Sequence, residues 1–287
     1  MTRHRDVTLC IDLFYAQGIP FLHTISRKLQ FRTATQLQNR SMATILDRLR
    51  EVIQLYHARG FAITELKTDQ EFNCLRIDVL PILLDAVAVD DHVHDVERSI
   101  RTVKGDTRTL TVSLPFNRVP RLMVSEIITF ALRSRNMLPP PNVVSKTMSP
   151  LSLVTGAPKP DYTHMKLEFG SYVHILNDNV PTNTMPALTT GAIVLNSVGN
   201  SKGGYYFLNL ETGKRVIRNQ YTPLPMPKDV IEQVNLLGFR NKMPLLQEQC
   251  LIFERRPGIP LPDDAVFDEA PDHFQFGAEG DDDDYSY

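Results

Sequence analysis

Residues 7–14, VTLCIDLF, form a β-branched and apolar run interrupted by one carboxylate, Asp12. The run has the length of a strand and is too apolar to lie at a surface, so any fold this chain adopts must bury an acid inside a strand. The AQGIP turn that follows, and FLHTIS after it, read as the second half of a hairpin. From Ala43 to Gly60 the periodicity changes. Ile45, Leu46, Leu49, Ile53 and Tyr56 recur at helical spacing, and Gly60 suits a C-terminal cap before the strand FAITEL. That strand runs to Thr68-Asp69-Gln70-Glu71-Phe72, after which LRIDVLPILLDAVAV supplies a short helix and a further apolar strand. Strand, hairpin, helix and strand in this order predict an α/β fold built on a sheet.

A second helix starts near Asp95, with Val96, Ile100 and Val103 as its apolar edge and Glu97, Arg101, Lys104 and Arg108 on the adjacent face. A further helix spans Leu122 to Leu132. The three prolines of Met137 to Pro141 break the pattern and open a connector at 136–160. Beyond it LEFGSYVHIL, GAIVLNS, YYFLNL and RVIRNQY are short strands, with ETGK as a hairpin turn, which predicts a small β-barrel. KDVIEQVNLLGF is a closing helix, and the Pro- and Asp-rich remainder from about 257 reads as disordered.

Charge narrows the partner. The chain carries 31 Lys and Arg against 33 Asp and Glu, a formal net of -2, yet residues 263–287 hold ten of the acids and no Lys or Arg. The body is therefore basic, with a net of +8, and favours a polyanion. Between Glu97 and Arg135 basic residues outnumber acidic ones, so the two helices there border a phosphate-binding surface. No apolar stretch is long enough for a membrane span, and no secretory leader is expected. Cys10, Cys74 and Cys250 are scattered in apolar surroundings and read as reduced core residues rather than a disulfide framework or metal site.

Two-metal phosphoryl transfer needs two or three carboxylates converging on one point, because hard divalent ions take oxygen ligands. Asp12 in the first strand, Asp69 at the end of a later one and Glu97 on the basic helix offer that set. Spacing alone leaves structural readings open: Asp12 paired with a core Lys or Arg, Asp69 capping a helix, Glu97 bridged to Arg101 one turn on.

Local sequence adds to this. TDQEF at 68–72 resembles the integrase strand motif in which Asp is followed shortly by Glu-Phe, and VERSIRTVKGDTR at 96–108 resembles its Glu-Arg helix. SLPF at 113–116, SPLSLVTG at 149–156, LEFGSYV at 167–173, PTNTM at 181–185, GNSKGGYYFLNLETGK at 199–214 and PLPMPKDVI at 223–231 continue the series. In this order, over roughly residues 7–235, the chain resembles copia-type retrotransposon integrases. The resemblance implies a ribonuclease-H-like mixed sheet with flanking helices at 1–135 as catalytic core, the connector at 136–160, an SH3-like barrel at 161–240 and a disordered acidic tail at 257–287. It implies Asp12, Asp69 and Glu97 as catalytic and metal-ligating residues for Mg²⁺ or Mn²⁺, and Arg98, Arg101, Lys104 and Arg108 as DNA-phosphate contacts. It further implies 3′-end processing and strand transfer by a nuclear homo-oligomer acting on element ends and target DNA, with no membrane partner. Three departures accompany it. Only 28 positions separate Asp69 from Glu97, fewer than is typical of the family; Gly105 interrupts the charged helix; and Leu151 stands where relatives tend to carry Arg. The chain also reads as a fragment of a polyprotein, and a catalytically inactive nucleic-acid-binding remnant is the alternative function.

Other signals carry less. Asp90-Asp91-His92-Val93-His94-Asp95 has metal-friendly residue types but reads as a polar loop at the mouth of the site. GNSKGG leads into a strand rather than a helix, so it is a hairpin turn and not a phosphate cradle. Glu71 is a reserve ligand, and Asp281 to Asp284 form a solvated tail.

Overall fold

The computed structural model describes residues 5–69, 72, 82–86, 94–140, 147–156, 162, 166–177, 187–199 and 203–260, and the structural statements below concern these. Strand β1, Asp6–Ala16, carries the apolar run. It turns through Gln17 (φ 52°) and Gly18 (φ 73°) into β2, Ile19–Ser26. A two-residue hairpin turn matched to strand twist needs positive φ at both positions, which glycine supplies freely at the second. The turn fixes the register from Ala16↔Ile19 to Leu9↔Ser26. β3, Arg32–Gln36, adds antiparallel to β2. Helix α1, Met42–His57, begins at Ser41, whose hydroxyl accepts from the Thr44 N–H, and the chain leaves it through Gly60 at φ 77°. α1 carries the chain across to β4, Ala62–Thr68, parallel to β1, and β5, Leu83–Ala86, is parallel to β4.

The resulting order β5-β4-β1-β2-β3, antiparallel on one side of β1 and parallel on the other, is a mixed sheet. Alternation along β1 divides the core in two. Leu9, Ile11 and Leu13 join Leu22 against the Ile45, Leu49 and Tyr56 face of α1. Cys10 and Phe14 join Phe21 and Ile25 on the opposite face, under α2, His94–Val112, and α3, Arg121–Met137. Each of these large apolar side chains contributes about 1.5–3 kcal/mol by burial. A mixed sheet with helices on both faces fits the ribonuclease-H-like core expected from the sequence. Among the described residues no helix is long and apolar enough to cross a membrane.

Helix α4, Pro150–Thr155, lies within the region read as a connector, capped by Ser149 at its start and Gly156 (φ 73°) at its end. A second sheet follows, from β6, Tyr172–Leu176, β7, Thr189–Ser197, β8, Tyr205–Asn209, β9, Arg215–Arg218, and β10, Tyr221–Pro223. It is antiparallel throughout in the order β10-β6-β7-β8-β9. At its ETGK turn the Asn209 side chain accepts from the N–H groups of Glu211 and Thr212, both at 2.9 Å. The last strand returns to the first, but no β9–β10 ladder closes a barrel among the described residues. With only Asn219 and Gln220 between them, β9 and β10 continue as neighbours in sequence while bonding to different strands, β8 and β6.

α5, Lys228–Arg240, packs onto the segment leading into α3. Its Asn235 Oδ1 accepts from the N–H groups of Asn117 and Arg118 at 3.0 Å, and a Cβ at Gly238 would meet Arg118 Cγ at 2.8 Å and Val119 C at 3.1 Å. The chain then returns to the first sheet. β11, Phe253–Arg256, pairs antiparallel with the far end of β1 (Ala16↔Phe253, Tyr15↔Glu254), and β12, Ile259–Pro260, pairs with β11. The acidic tail from 261 onward lies outside the described residues.

Gly105 sits on the exposed face of α2 with no atom within 4 Å of where a Cβ would be. Replacing it removes only backbone freedom from the unfolded chain, so Gly105→Ala should stabilise the protein by about 0.5–1 kcal/mol. A shift of the urea midpoint to higher concentration at unchanged slope is the expected result; an unchanged or lower midpoint would mean that α2 is not helical at this position.

Candidate functional site

Asp12 lies in the middle of β1 and is 7% exposed; its Oδ1 accepts from the Leu13 N–H at 2.7 Å. Its cross-strand partner is His23 on β2, so both side chains face α2. His23 is fully buried, and its Nε2 hydrogen-bonds the Ser99 hydroxyl of α2 at 2.8 Å. The same hydroxyl accepts from Arg32 Nε at 3.1 Å. Ser99 follows Glu97 by two residues, and Glu97 stands, half-buried, in the first turn of the helix. His23 thus ties β2, the hairpin partner of the strand that carries Asp12, to the helix turn that carries Glu97.

Asp69 is the residue after β4. The last parallel pair of β1 and β4 is Cys10 with Lys67, two residues before Asp12 on one strand and two before Asp69 on the other. One Asp69 oxygen, Oδ2, accepts from Arg255 Nη2 at 3.0 Å. That arginine lies on β11, two residues after Phe253, which stacks on Phe14 at 5.6 Å. Around these groups Arg27 bridges Asp95 at 2.8 Å, and Lys67 bridges Asp85 at 2.9 Å, a bond that raises the lysine pKa. Asp12 thus lies within β1, Asp69 just beyond the end of the neighbouring β4, and Glu97 in the first turn of α2. Among the described residues, however, no three His, Cys, Asp or Glu side chains are close enough to hold a metal ion together.

On α2, Arg98, Arg101 and Arg108 are exposed and Lys104 is half-buried. Glu97, Arg101, Lys104 and Arg108 follow one another along a stripe beside the buried edge of Val96, Ile100 and Val103. Asp106 points another way, accepting both Nε and Nη2 of Arg135 and tying α2 to α3. Cys10 is a free thiol on the same face as Asp12; burial, and next Asp95, push its pKa up to about 12, so it stays an unreactive core residue. Glu71, the run from Asp90 to Val93, Cys74 and the centre of GNSKGG lie outside the described residues, while His94 and Asp95 begin α2.

His23 and Arg255 were not singled out from sequence. His23 was within reach of it: a two-residue turn at Gln17-Gly18 makes the residue five before the turn the partner of the residue five after it. Arg255 carried no local signal.

No family model matches the chain, and no curated protein matches it in sequence. Among solved structures, the chain is similar to the BIV integrase catalytic core at 12% identity and TM-score 0.37, over 52% of this chain and 94% of that one. It is similar to the HTLV-2 integrase catalytic core in complex with magnesium at 15% identity and TM-score 0.37, over 51% and 94%. It is similar to the simian T-cell lymphotropic virus intasome, in complex with a PP2A regulatory subunit, at 12% identity and TM-score 0.39, over 77% and 79%.

Burial, and then the nearby Arg32 charge, lower the His23 pKa to about 3 from an ordinary 6.5. Below pH 6.5 the unfolded chain takes up a proton that the native one refuses, so stability falls with pH from about 6.5 toward 3. Between pH 7 and pH 5 this group should cost the wild type roughly 2 kcal/mol more than it costs His23→Gln. Urea unfolding of both proteins at the two pH values tests it; parallel losses would show that His23 is not held neutral.

Proposed function

We propose that this chain is the catalytic region of a copia-type retrotransposon integrase, a divalent-metal-dependent polynucleotidyl transferase that trims and joins DNA 3′-ends. The observation that supports the reading is Asp12 buried within β1, with Asp69 just after the end of β4, the parallel neighbour of β1, and Glu97 in the first turn of α2. The ordered series of sequence motifs supports it. Three carboxylates offer only oxygen donors, the kind that Mg²⁺ and Mn²⁺ take. When bound, a pair of such ions supplies activation of an attacking water or 3′-hydroxyl and stabilisation of the leaving oxygen.

The protein's own part is orientation. Asp12 is held by the Leu13 N–H and by a strand buried on both faces, so its carboxylate moves little. His23, neutral at physiological pH, fixes the turn of α2 that carries Glu97 without adding a charge that would compete for the acids. Arg98, Arg101, Lys104 and Arg108 would orient DNA phosphates along α2, and the β6–β10 sheet would hold DNA beyond the core. Action on two element ends implies a homo-oligomer, and action on chromosomal DNA implies nuclear residence. The second reading, a catalytically silent nucleic-acid-binding remnant, is favoured by the bond between Arg255 and Asp69 and by the acids' failure to gather into a metal-holding group.

Strand transfer of a labelled duplex bearing the element's end, with Mg²⁺ or Mn²⁺, separates the two. The expected result is joined product from wild type and its loss, by about 10³-fold or more, in Asp12→Asn and Glu97→Gln at unchanged DNA affinity. Binding without product from any variant would leave the silent remnant as the correct reading. On either reading the double variant Arg98→Ala, Arg101→Ala should weaken duplex binding uniformly across sequences. Its log-log salt slope should be shallower by roughly 1–2. An unchanged slope would take the α2 stripe out of the DNA interface.

A further inference from the structure

Arg98, Arg101, Lys104 and Arg108 stand on the charged side of α2, spread over about 15 Å of its axis at roughly 1.5 Å per residue. Other arginines on the same side of the sheet are committed, Arg27 to Asp95 and Arg135 to Asp106. Arg98 and Arg101 are exposed and pair with no acid among the described residues. The chain itself contains a matching polyanion. Residues 263–287 hold ten acids and no Lys or Arg, and four of those acids, Asp281 to Asp284, are consecutive. Consecutive residues of an extended chain advance by about 3.3–3.6 Å, close to the roughly 3.4 Å between successive charges on one DNA strand. A surface spaced for phosphates is therefore spaced for these carboxylates.

Reach permits the contact. Twenty residues, 261–280, separate Asp281 from the end of β12, enough to span about 70 Å when extended. β12 stands two strands from β1, roughly 10 Å away. α2, about 28 Å long, lies over β1 and β2, so its whole stripe falls within that distance. We infer that the α2 stripe is a docking surface for the chain's own acidic segment, with Asp281 to Asp284 seated on Arg98 and Arg101 where a nucleic-acid strand would otherwise lie. The inference takes its competitor, DNA, from the nucleic-acid reading of α2 above, and it needs no metal site. A single covalent tether presents the acids to the stripe at an effective concentration on the order of millimolar, so a contact too weak to hold two separate molecules is populated within one. A duplex must displace the segment before it binds, and salt weakens the hold because the charges on the helix face solvent.

Two measurements on the full chain test it. The first compares duplex affinity for wild type and for a variant with every Asp of 263–287 changed to Asn and every Glu to Gln, each with and without Arg98→Ala and Arg101→Ala. Far-UV circular dichroism checks that each variant folds. The expected result is binding tighter by on the order of tenfold when the acids are neutralised, and by no more than about threefold when the arginines are also replaced. An equal gain in both backgrounds would mean that the acids repel DNA from a distance, and no gain in protein that binds duplex would mean that they do not compete; each overturns the inference. The second uses no DNA. Arg101→Lys keeps the charge and supplies an amine, which carbodiimide joins to a neighbouring carboxylate. The expected result is a cross-link within one chain from position 101 to Asp281–Asp284, lost at high salt. Cross-links spread alike over the exposed Lys214, Lys228 and Lys242, or formed only between chains in a mixture of ¹⁵N-labelled and unlabelled protein, would overturn the docking. If the cross-link forms within the chain but no variant binds duplex, the docking stands and the nucleic-acid reading of α2 falls.

Discussion

Burial of β1 on both faces and along both edges sets the coordinates of the other elements. One edge is filled by β2 over nearly its whole length; the other is divided between β4 and β11. A strand so enclosed cannot slip, because a shift by one residue would turn Leu9, Ile11 and Leu13 toward α2 and Cys10, Asp12 and Phe14 toward α1. The carboxylate would then lie among the apolar side chains of α1, at a cost of several kcal/mol unless it found a partner there. The hydrophobic pattern that locks the register is therefore also what aims the acid.

The same constraint extends outward through α3. Met123, Val124, Ile127, Ile128, Ala131 and Leu132 are all buried, since one side of this helix meets the first sheet and another meets the second. Polar contacts make the docking specific. Glu126, 5% exposed, accepts from Asn196 at 2.5 Å and from Arg215 at 2.8 Å, and Arg133 donates to the Ser197 carbonyl. Loss of Asn196 or Arg215 would leave a buried carboxylate undercompensated, so the relative position of the two sheets is fixed by a few groups and not by apolar area alone. α2 is in turn tied to α3 through Asp106 and Arg135, and to β2 through Ser99 and His23.

Much of this was legible in the sequence wherever local pattern decides structure. The β1–β2 hairpin, α1 with its glycine exit, the helix from about residue 95 and the ETGK turn follow from periodicity and turn chemistry. What was not legible depends on distant partners. RTATQ at 32–36 is a strand because β2 offers it an edge and α3 covers it, with Asn136 accepting from the Arg32 N–H. α3 runs on to Met137 because Asn136 and Met137 are buried there, beyond the point where the apolar spacing alone suggested an end. FERR at 253–256 has no strand-like alternation, and only the vacant end of β1 makes it one. The candidate site divides in the same way: Asp12 and Glu97 were proposed from local sequence, the pairing of His23 with Asp12 follows from the turn, and the contact of Arg255 with Asp69 is visible only once the strands are paired.

That division bears on how the charges at the site balance. A buried carboxylate beside a buried imidazole would ordinarily be read as an ion pair, the histidine supplying the cation. Here burial and Arg32 hold His23 neutral across the physiological range, and its hydrogen bond goes to Ser99 instead. Positive charge reaches the acids from elsewhere: from Arg255 onto Asp69, and from Arg27 onto Asp95 at the start of α2. Both guanidinium groups are partly exposed, so their hold on the acids is weakened by salt in a way that a buried His–Asp pair would not be. The scaffold of the site is thus set by buried neutral contacts and its charge state by solvent-facing arginines, and the two are free to change independently.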